Sequence, residues 1–316
     1  MKYLIIGGKS VFAEPLIDIL TNKIDTEVVI VTKENCNRGL DKEKLYWRDI
    51  DIHSTESIEN VLKTDRPDLI YDFEVQDSVG YAWNNPNETV NVNIVGTINL
   101  LNVIKNLDYK PRLIIGGSGE EYGHLGFDHL PLSEDETPHP VNVFGATKAC
   151  QTMFAKLYHK AYGIDVIVLR TFNETSTKQD DKWAISSFCH QFVKIERGEQ
   201  LPVIHVGNTD IVRDFTNVKD LARAFDLVAE NGVSGEVYNA ARGEGISIKD
   251  IIHLLKDITG IDVTIRSHKS KVRPIDVPSI IADVKKIEKD TGWKANITIR
   301  ETLVELIEMW REAENG

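Results

Sequence analysis

Apolar positions in the first half of the chain fall in short blocks: YLIIG (3–7), EVVIVT (27–32), LIYDF (69–73), RLIIGG (112–117) and DVIVLR (165–170). These Ile- and Val-rich runs are too short for helices and too continuous for strands with one wet face, so they predict strands buried on both sides. Between them, apolar residues recur at helical spacing over about 11–22 and 55–64, along the stretch that carries VNIVGTINLLNVI (92–104), and after Phe144. Strands alternating with amphipathic helices predict an α/β fold, a doubly wound parallel sheet, which DVIVLR closes. NNP (84–86) and TPHPVN (137–142) punctuate it as turns. From about 174 the order is less regular, with helices predicted at about 183–198, 217–231, 247–259, 283–290 and 299–313. The pattern divides into a sheet domain over 1–173, to which 207–244 partly returns, and a smaller capping lobe mainly over 174–316.

The chain has 316 residues, enough for one large domain or two smaller ones, and its 41% apolar and 27% charged composition is that of an ordinary globular protein. A net charge of −12 argues against non-specific binding to nucleic acid or acidic membranes, while leaving room for a small anion held by a local basic cluster. No apolar run approaches the roughly 20 residues needed to span a bilayer. Cys36, Cys150 and Cys189 have neither metal-like spacing nor an even count, and a reducing cytoplasm is the expected compartment.

GGKSVFA (7–13) joins the first strand to the first helix, the place where a dinucleotide's pyrophosphate sits in such sheets. Of the three glycines the fingerprint requires, Gly7 fills the first place, while Ser10 and Ala13 stand at the second and third. An ordinary strand–turn–helix junction is the alternative. After the second strand, VTKEN carries Thr32 and Lys33 where an acidic residue would hold a ribose 2′-hydroxyl, which leans slightly towards a 2′-phosphate.

GGSGEEYG (116–123), VNVFGATKAC (141–150), RTFN (170–173), VGNTDIVRDFTNVKD (206–220) and VRPIDVPSIIADVKKIEKDTGWKA (272–295) then agree in order and spacing with one family. The chain resembles extended short-chain dehydrogenases acting on nucleotide sugars, closest to GDP-4-keto-6-deoxy-mannose reductases and GDP-mannose 4,6-dehydratases, along nearly its whole length. The resemblance implies a Rossmann-type NAD(P)-binding domain with a substrate-binding lobe. It also implies NAD(P)-dependent hydride transfer at the C4 carbon of a nucleotide diphosphate sugar, by a reductase, epimerase or dehydratase. NADP is slightly favoured, and GDP is the expected nucleotide. The implied cofactor contacts are Gly7, Ser10, Ala13, Lys33, Asp51, Ile52, Glu74 and Lys148. Asn173, Arg213 and Arg273 are implied on the substrate side, the arginines because guanidinium forks grip phosphate oxygens bidentately. Ser118 matches the group that hydrogen-bonds the reacting sugar oxygen, Lys148 the lysine that holds the nicotinamide ribose, and Glu120 a glutamate found in dehydratases and in many reductases.

Four departures cluster on the cofactor and on proton transfer. Phe144 stands at the position of the usual tyrosine, four residues before Lys148, and a phenyl ring cannot exchange a proton. Ser10 puts a side chain at the phosphate turn, DFEV (72–75) replaces the family's H-x-A-A and so places Glu74 beside a pyrophosphate, and ETSTKQD (174–180) replaces a G-P-G turn. Cofactor binding is therefore expected to be weak. Two other readings stay open: a nucleotide-sugar-binding protein or partner subunit without redox turnover, and a cofactor-independent isomerase using the retained carboxylates. His124, His129 and His139 match no regular metal spacing, and no metal is expected. Tyr122 is read as structural, Asn208 and Asp220 as turn and helix-cap residues, and Trp183, Trp293 and Trp310 as packing in the smaller lobe. In the resembling family, helices corresponding to about 85–106 and 144–162 pair two subunits, so a homodimer is expected.

Overall fold

The computed structural model describes residues 1–33, 43–76, 78–267 and 277–314. Seven parallel strands form the main sheet, in the order β3 (Leu45–Asp49), β2 (Glu27–Thr32), β1 (Lys2–Ile6), β4 (Leu69–Asp72), β5 (Arg112–Ser118), β6 (Val166–Thr171) and finally Val237–Ala240. This is the Rossmann-type architecture expected. Ile5 lies opposite Ile30 on one side and Tyr71 on the other, and Tyr71 opposite Ile114, so one apolar row crosses the sheet.

Side chains alternate between the two faces of each strand. Ile5, Ile30, Tyr71 and Ile114 pack with Leu16, Ile17 and Leu20 of helix α1 (Ala13–Thr21) and with Leu221 and Phe225 of the helix Val218–Asn231. On the opposite face, Leu4, Ile6, Val29 and Val31 pack with Ile58 and Leu62 of helix α2 (Thr55–Asp65) and with Leu100, Leu101 and Ile104 of the helix Thr97–Asn106. The strand order reverses between β1 and β4. The crevice at their carboxyl ends is the switch point where doubly wound sheets take their ligands.

The sheet does not end at β6: Val237–Ala240 extends it in register with Val168–Thr171. The edge strand β3 is likewise absent from the apolar pattern, because LYWRD is half exposed there. Trp293 also departs from expectation. It is buried among Tyr3, Leu16, Phe225 and Tyr238 in the main sheet's core, and its indole donates to the Asp220 carbonyl at 2.9 Å.

A separate apolar core joins the helices Ala184–Glu196, Ile248–Thr259 and Ile299–Ala313 with the paired strands Val203–Val206 and Thr264–Ser267. Trp310 lies partly buried against it, stacked on His190 with ring centroids 3.8 Å apart. Asp214 ties distant segments together by accepting backbone N–H groups of Arg242, Gly243 and Ala282 at 3.0–3.2 Å. Burial still outweighs those bonds and lifts its carboxyl to about 7. Asn208 holds a turn by accepting the Asp210 N–H; Asp220, inside its helix rather than capping it, takes the N–H groups of Asn296 and Ile297.

Candidate active site

The β1–α1 turn needs Gly7. Its φ is +83°, and a Cβ there would lie 2.6 Å from the Phe73 carbonyl carbon and 2.7 Å from the Glu74 nitrogen. Gly8, which the three-glycine count passes over, is as tightly constrained: a Cβ would come 2.3 Å from Ile30 Cγ2. Ser10 folds into the turn, donating its N–H to the Gly7 carbonyl at 2.9 Å and accepting the Phe12 N–H at 3.4 Å. Ala13 is buried at the start of α1, where its small side chain permits close helix–sheet packing. Lys33 is exposed beyond β2. Asp51 is exposed and accepts the His53 N–H, while Ile52 is buried where Gly96 leaves no room for a Cβ.

The carboxyl end of β4 is acidic. Asp72 is buried, with one carboxylate oxygen accepting the Glu74 N–H at 3.1 Å. Burial pushes its carboxyl up to about 7, against the pull of the Lys148 ammonium. Glu74 is half-buried and is also raised by burial, with His53 and Lys33 opposing the rise.

β5 delivers Ser118 at its carboxyl end. The Ser118 hydroxyl accepts the Glu120 N–H at 3.2 Å, and its own N–H donates to Glu121 at 3.0 Å, a reciprocal cap that fixes the turn. Glu121 is fully buried and accepts from Thr152 at 2.8 Å and Arg170 at 2.9 Å. Arg170 also donates to the Tyr122 hydroxyl, which donates to Asn239 at 2.7 Å. Tyr122 is thus a buried structural phenol, raised to about 12 chiefly by burial.

The helix Val143–Tyr162 brings up Phe144 and Lys148. Asn142 caps it through the Gly145 N–H and donates its side-chain amide to Glu120 at 2.8 Å. Gly145 allows the contact: a Cβ would meet the Glu120 carbonyl oxygen at 2.4 Å. Phe144 is 7% exposed, and Lys148, one turn on, is 4% exposed. The Lys148 ammonium donates to the Gly116 carbonyl at 2.6 Å and to Gln151 at 2.7 Å. Gln151 donates to Thr97, and Thr97 to the Asn93 carbonyl. Asn93 lies in a π-helical stretch (Asn91–Gly96), a distortion common at functional sites, and bonds Thr147.

Ser118, Glu120, Phe144 and Lys148 are therefore brought together, with Gly7 and Glu74 beside them. Asp72, Gln151 and Glu121 were missed, since polar residues at strand ends and in helices read as solvated ones; the only available signal was that DFEV breaks the H-x-A-A pattern at its first place too. Asn173 follows β6, half-buried, its carbonyl accepting the Thr216 N–H at 3.0 Å. Arg213 is buried in a short three-stranded sheet and donates to the Val212 carbonyl. Arg273 lies outside the described residues. His129 pairs with Glu136 at 3.0 Å, and among the described residues no cluster of His, Cys, Asp or Glu could hold a metal ion.

The sequence matches the GDP-mannose 4,6 dehydratase family over residues 16–306. The chain belongs to that family. It is 29% identical over 244 residues to the GDP-6-deoxy-D-mannose reductase of Pseudomonas aeruginosa, covering 77% of this chain and 80% of the reductase. It is also 29% identical over 288 residues to the GDP-6-deoxy-D-talose 4-dehydrogenase of Aggregatibacter actinomycetemcomitans, covering 91% and 90%. Among solved structures it is similar to RMD from Pseudomonas aeruginosa complexed with NADPH, with a TM-score of 0.86 and 25% identity over 99% of this chain and all of that one. It is similar too to the UDP-glucose 4-epimerase of Thermotoga maritima with UDP-glucose, with a TM-score of 0.89 and 26% identity over the same shares. The chain therefore has the fold of those two structures, and no helix among the described residues is long and apolar enough to cross a membrane.

Proposed function

We propose that this chain binds a nucleotide diphosphate sugar, GDP-linked in preference to UDP-linked, and acts with NAD(P) in hydride exchange at the sugar C4. The observation that carries this reading is the Glu120–Asn142 hydrogen bond, which joins the Ser118 turn to the helix presenting Phe144 and Lys148. The reductase and talose dehydrogenase relatives, both named for GDP-sugars, support the nucleotide.

The turn fits a dinucleotide where Gly7 has no room for a Cβ, and it opposes one where Glu74 adds negative charge. Gly7, Ser10 and the start of α1 would hold the diphosphate, Lys148 the ribose beside the reactive ring, and exposed Lys33 favours a 2′-phosphate. Bound NAD(P) supplies the hydride acceptor or donor. Ser118 orients the sugar C4 oxygen by hydrogen bonding. Glu120, held by Asn142, is the carboxylate closest in the chain to that turn and exchanges the proton that Phe144 cannot. Arg213, with Arg273 and Asn173, receives the sugar diphosphate.

Titration of the protein with GDP-mannose and UDP-glucose in a calorimeter tests the substrate assignment. Arg213→Ala should weaken GDP-sugar binding by about 2–5 kcal/mol, the usual loss for one partner of a buried charged contact. Binding of neither nucleotide sugar by the folded wild type would end the assignment.

The second reading, a nucleotide-sugar-binding protein without turnover, is favoured by Phe144 and by the engagement of Lys148 with Gly116 and Gln151. Either activity suits a homodimer. On the helix Val143–Tyr162, Met153, Leu157 and Tyr162 are 60%, 56% and 54% exposed, an apolar stripe that a second copy would cover. Sedimentation should show a dimer that Leu157→Glu splits into monomers, whereas a monomeric wild type would refute the pairing.

A further inference from the structure

Asp72 lies at the carboxyl end of β4, its carboxylate bonded to the Glu74 N–H beside the Gly7 turn. The phosphate turn lies directly on residues 73–74, since a Gly7 Cβ would strike the Phe73 carbonyl carbon and the Glu74 nitrogen. Just before them, Asp72 is 5% exposed, and among the described residues the hydrogen bond to its carboxylate comes from the Glu74 N–H. The charged groups that face it are Lys148, from the helix Val143–Tyr162, and Glu74, from its own segment. On the neighbouring strand β5, the Gly116 carbonyl accepts a hydrogen bond from the same Lys148 ammonium. Glu74 itself faces His53 and Lys33.

We propose that Asp72 is a specificity-determining group of the dinucleotide site: ionised, it repels the cofactor's diphosphate, and the cofactor enters with uptake of a proton at Asp72. The proposal rests on the dinucleotide reading above and deepens it. Two like charges in a poorly hydrated crevice repel more strongly than in water, and neutralising the titratable one relieves the repulsion. Burial pushes the Asp72 carboxyl up to about 7, against the pull of the Lys148 ammonium. A bound diphosphate raises that further, so the complex holds a proton that the free protein has lost. Affinity is therefore greatest at acid pH and falls as pH rises and the free protein loses that proton, by up to about tenfold per pH unit for one proton taken up.

The test is calorimetric titration with NADH between about pH 6 and 8.5, in buffers of different ionisation enthalpy, which reports the protons taken up on binding. NADH is the primary probe, because the 2′-phosphate of NADPH titrates near pH 6 on its own account. The wild type should bind more weakly as pH rises and take up a proton. Asp72→Asn, which can still accept the Glu74 N–H, should bind with flat pH dependence and more tightly than wild type at the alkaline end. Glu74→Gln should keep the wild-type slope. A pH-independent wild-type affinity without proton uptake would overturn the proposal while leaving the dinucleotide reading intact, and that result needs no variant to fold. A slope that survives in Asp72→Asn but vanishes in Glu74→Gln would also overturn it, by moving the proton to Glu74. Failure of NADH and NADPH to bind any form at any pH would remove the dinucleotide reading and this proposal together.

Discussion

Glu121→Ala should destabilise the protein by about 3–5 kcal/mol and lower its melting temperature by roughly 5–8 °C, because it strands a buried guanidinium. Arg170 and Glu121 are 3% and 0% exposed and meet at 2.9 Å. Glu121 also takes the Ser118 N–H and the Thr152 hydroxyl, so its loss leaves several donors unanswered at once. Removing both charges, as Glu121→Leu with Arg170→Leu, should recover part of the loss, since a buried pair exchanged for apolar residues is often close to neutral. Thermal unfolding of the three forms checks this. An unchanged melting temperature in Glu121→Ala would mean that the pair does not hold the Ser118 turn.

Phe144→Tyr should change rate and not stability. The two side chains differ by one hydroxyl, placed one helical turn from Lys148 and, through the Glu120–Asn142 link, beside the Ser118 turn. An unpaired buried phenol would cost about 1–3 kcal/mol, whereas one that finds Ser118 or a sugar hydroxyl would not, so the melting temperature should hardly move. With a 4-keto GDP-sugar and NADPH, single-turnover oxidation of the nucleotide should quicken by about 10²–10⁴, the usual contribution of a positioned proton donor. A slower reaction than that of a competent wild type would show that the proton travels by another path, of which Phe144 is part. No turnover in either form, with sugar nucleotide bound by both, would support the binding-protein reading.

The strands β1, β2, β4, β5 and β6 were legible because each is buried on both faces and shows as an unbroken apolar run. β3 was not, because an edge strand with Arg48 and Asp49 in it has no such run. For Val237–Ala240 the sequence shows only that 207–244 partly returns to the sheet, not the strand itself. Its Asn239 is fully buried, and its side chain and N–H are met by Tyr122, Leu132 and Glu134, more than 100 residues earlier, and by Asp283, partners that local pattern cannot report. The same division holds in the site. Ser118, Phe144 and Lys148 stand at spacings set by a strand end and a helical turn, which sequence preserves. The Asn93–Thr97–Gln151 relay behind Lys148 spans two helices, and each member alone reads as a surface residue.

The placement of Trp293 bears on how the molecule comes together. Together with Ile287 it completes the core of the main sheet from a segment far beyond β6. A ribosome that has made only the first 173 residues has therefore made a sheet with a hole on one face. That hole stays open until residues 287–293 have been made, so the first 173 residues alone are not expected to reach the sheet's final packing.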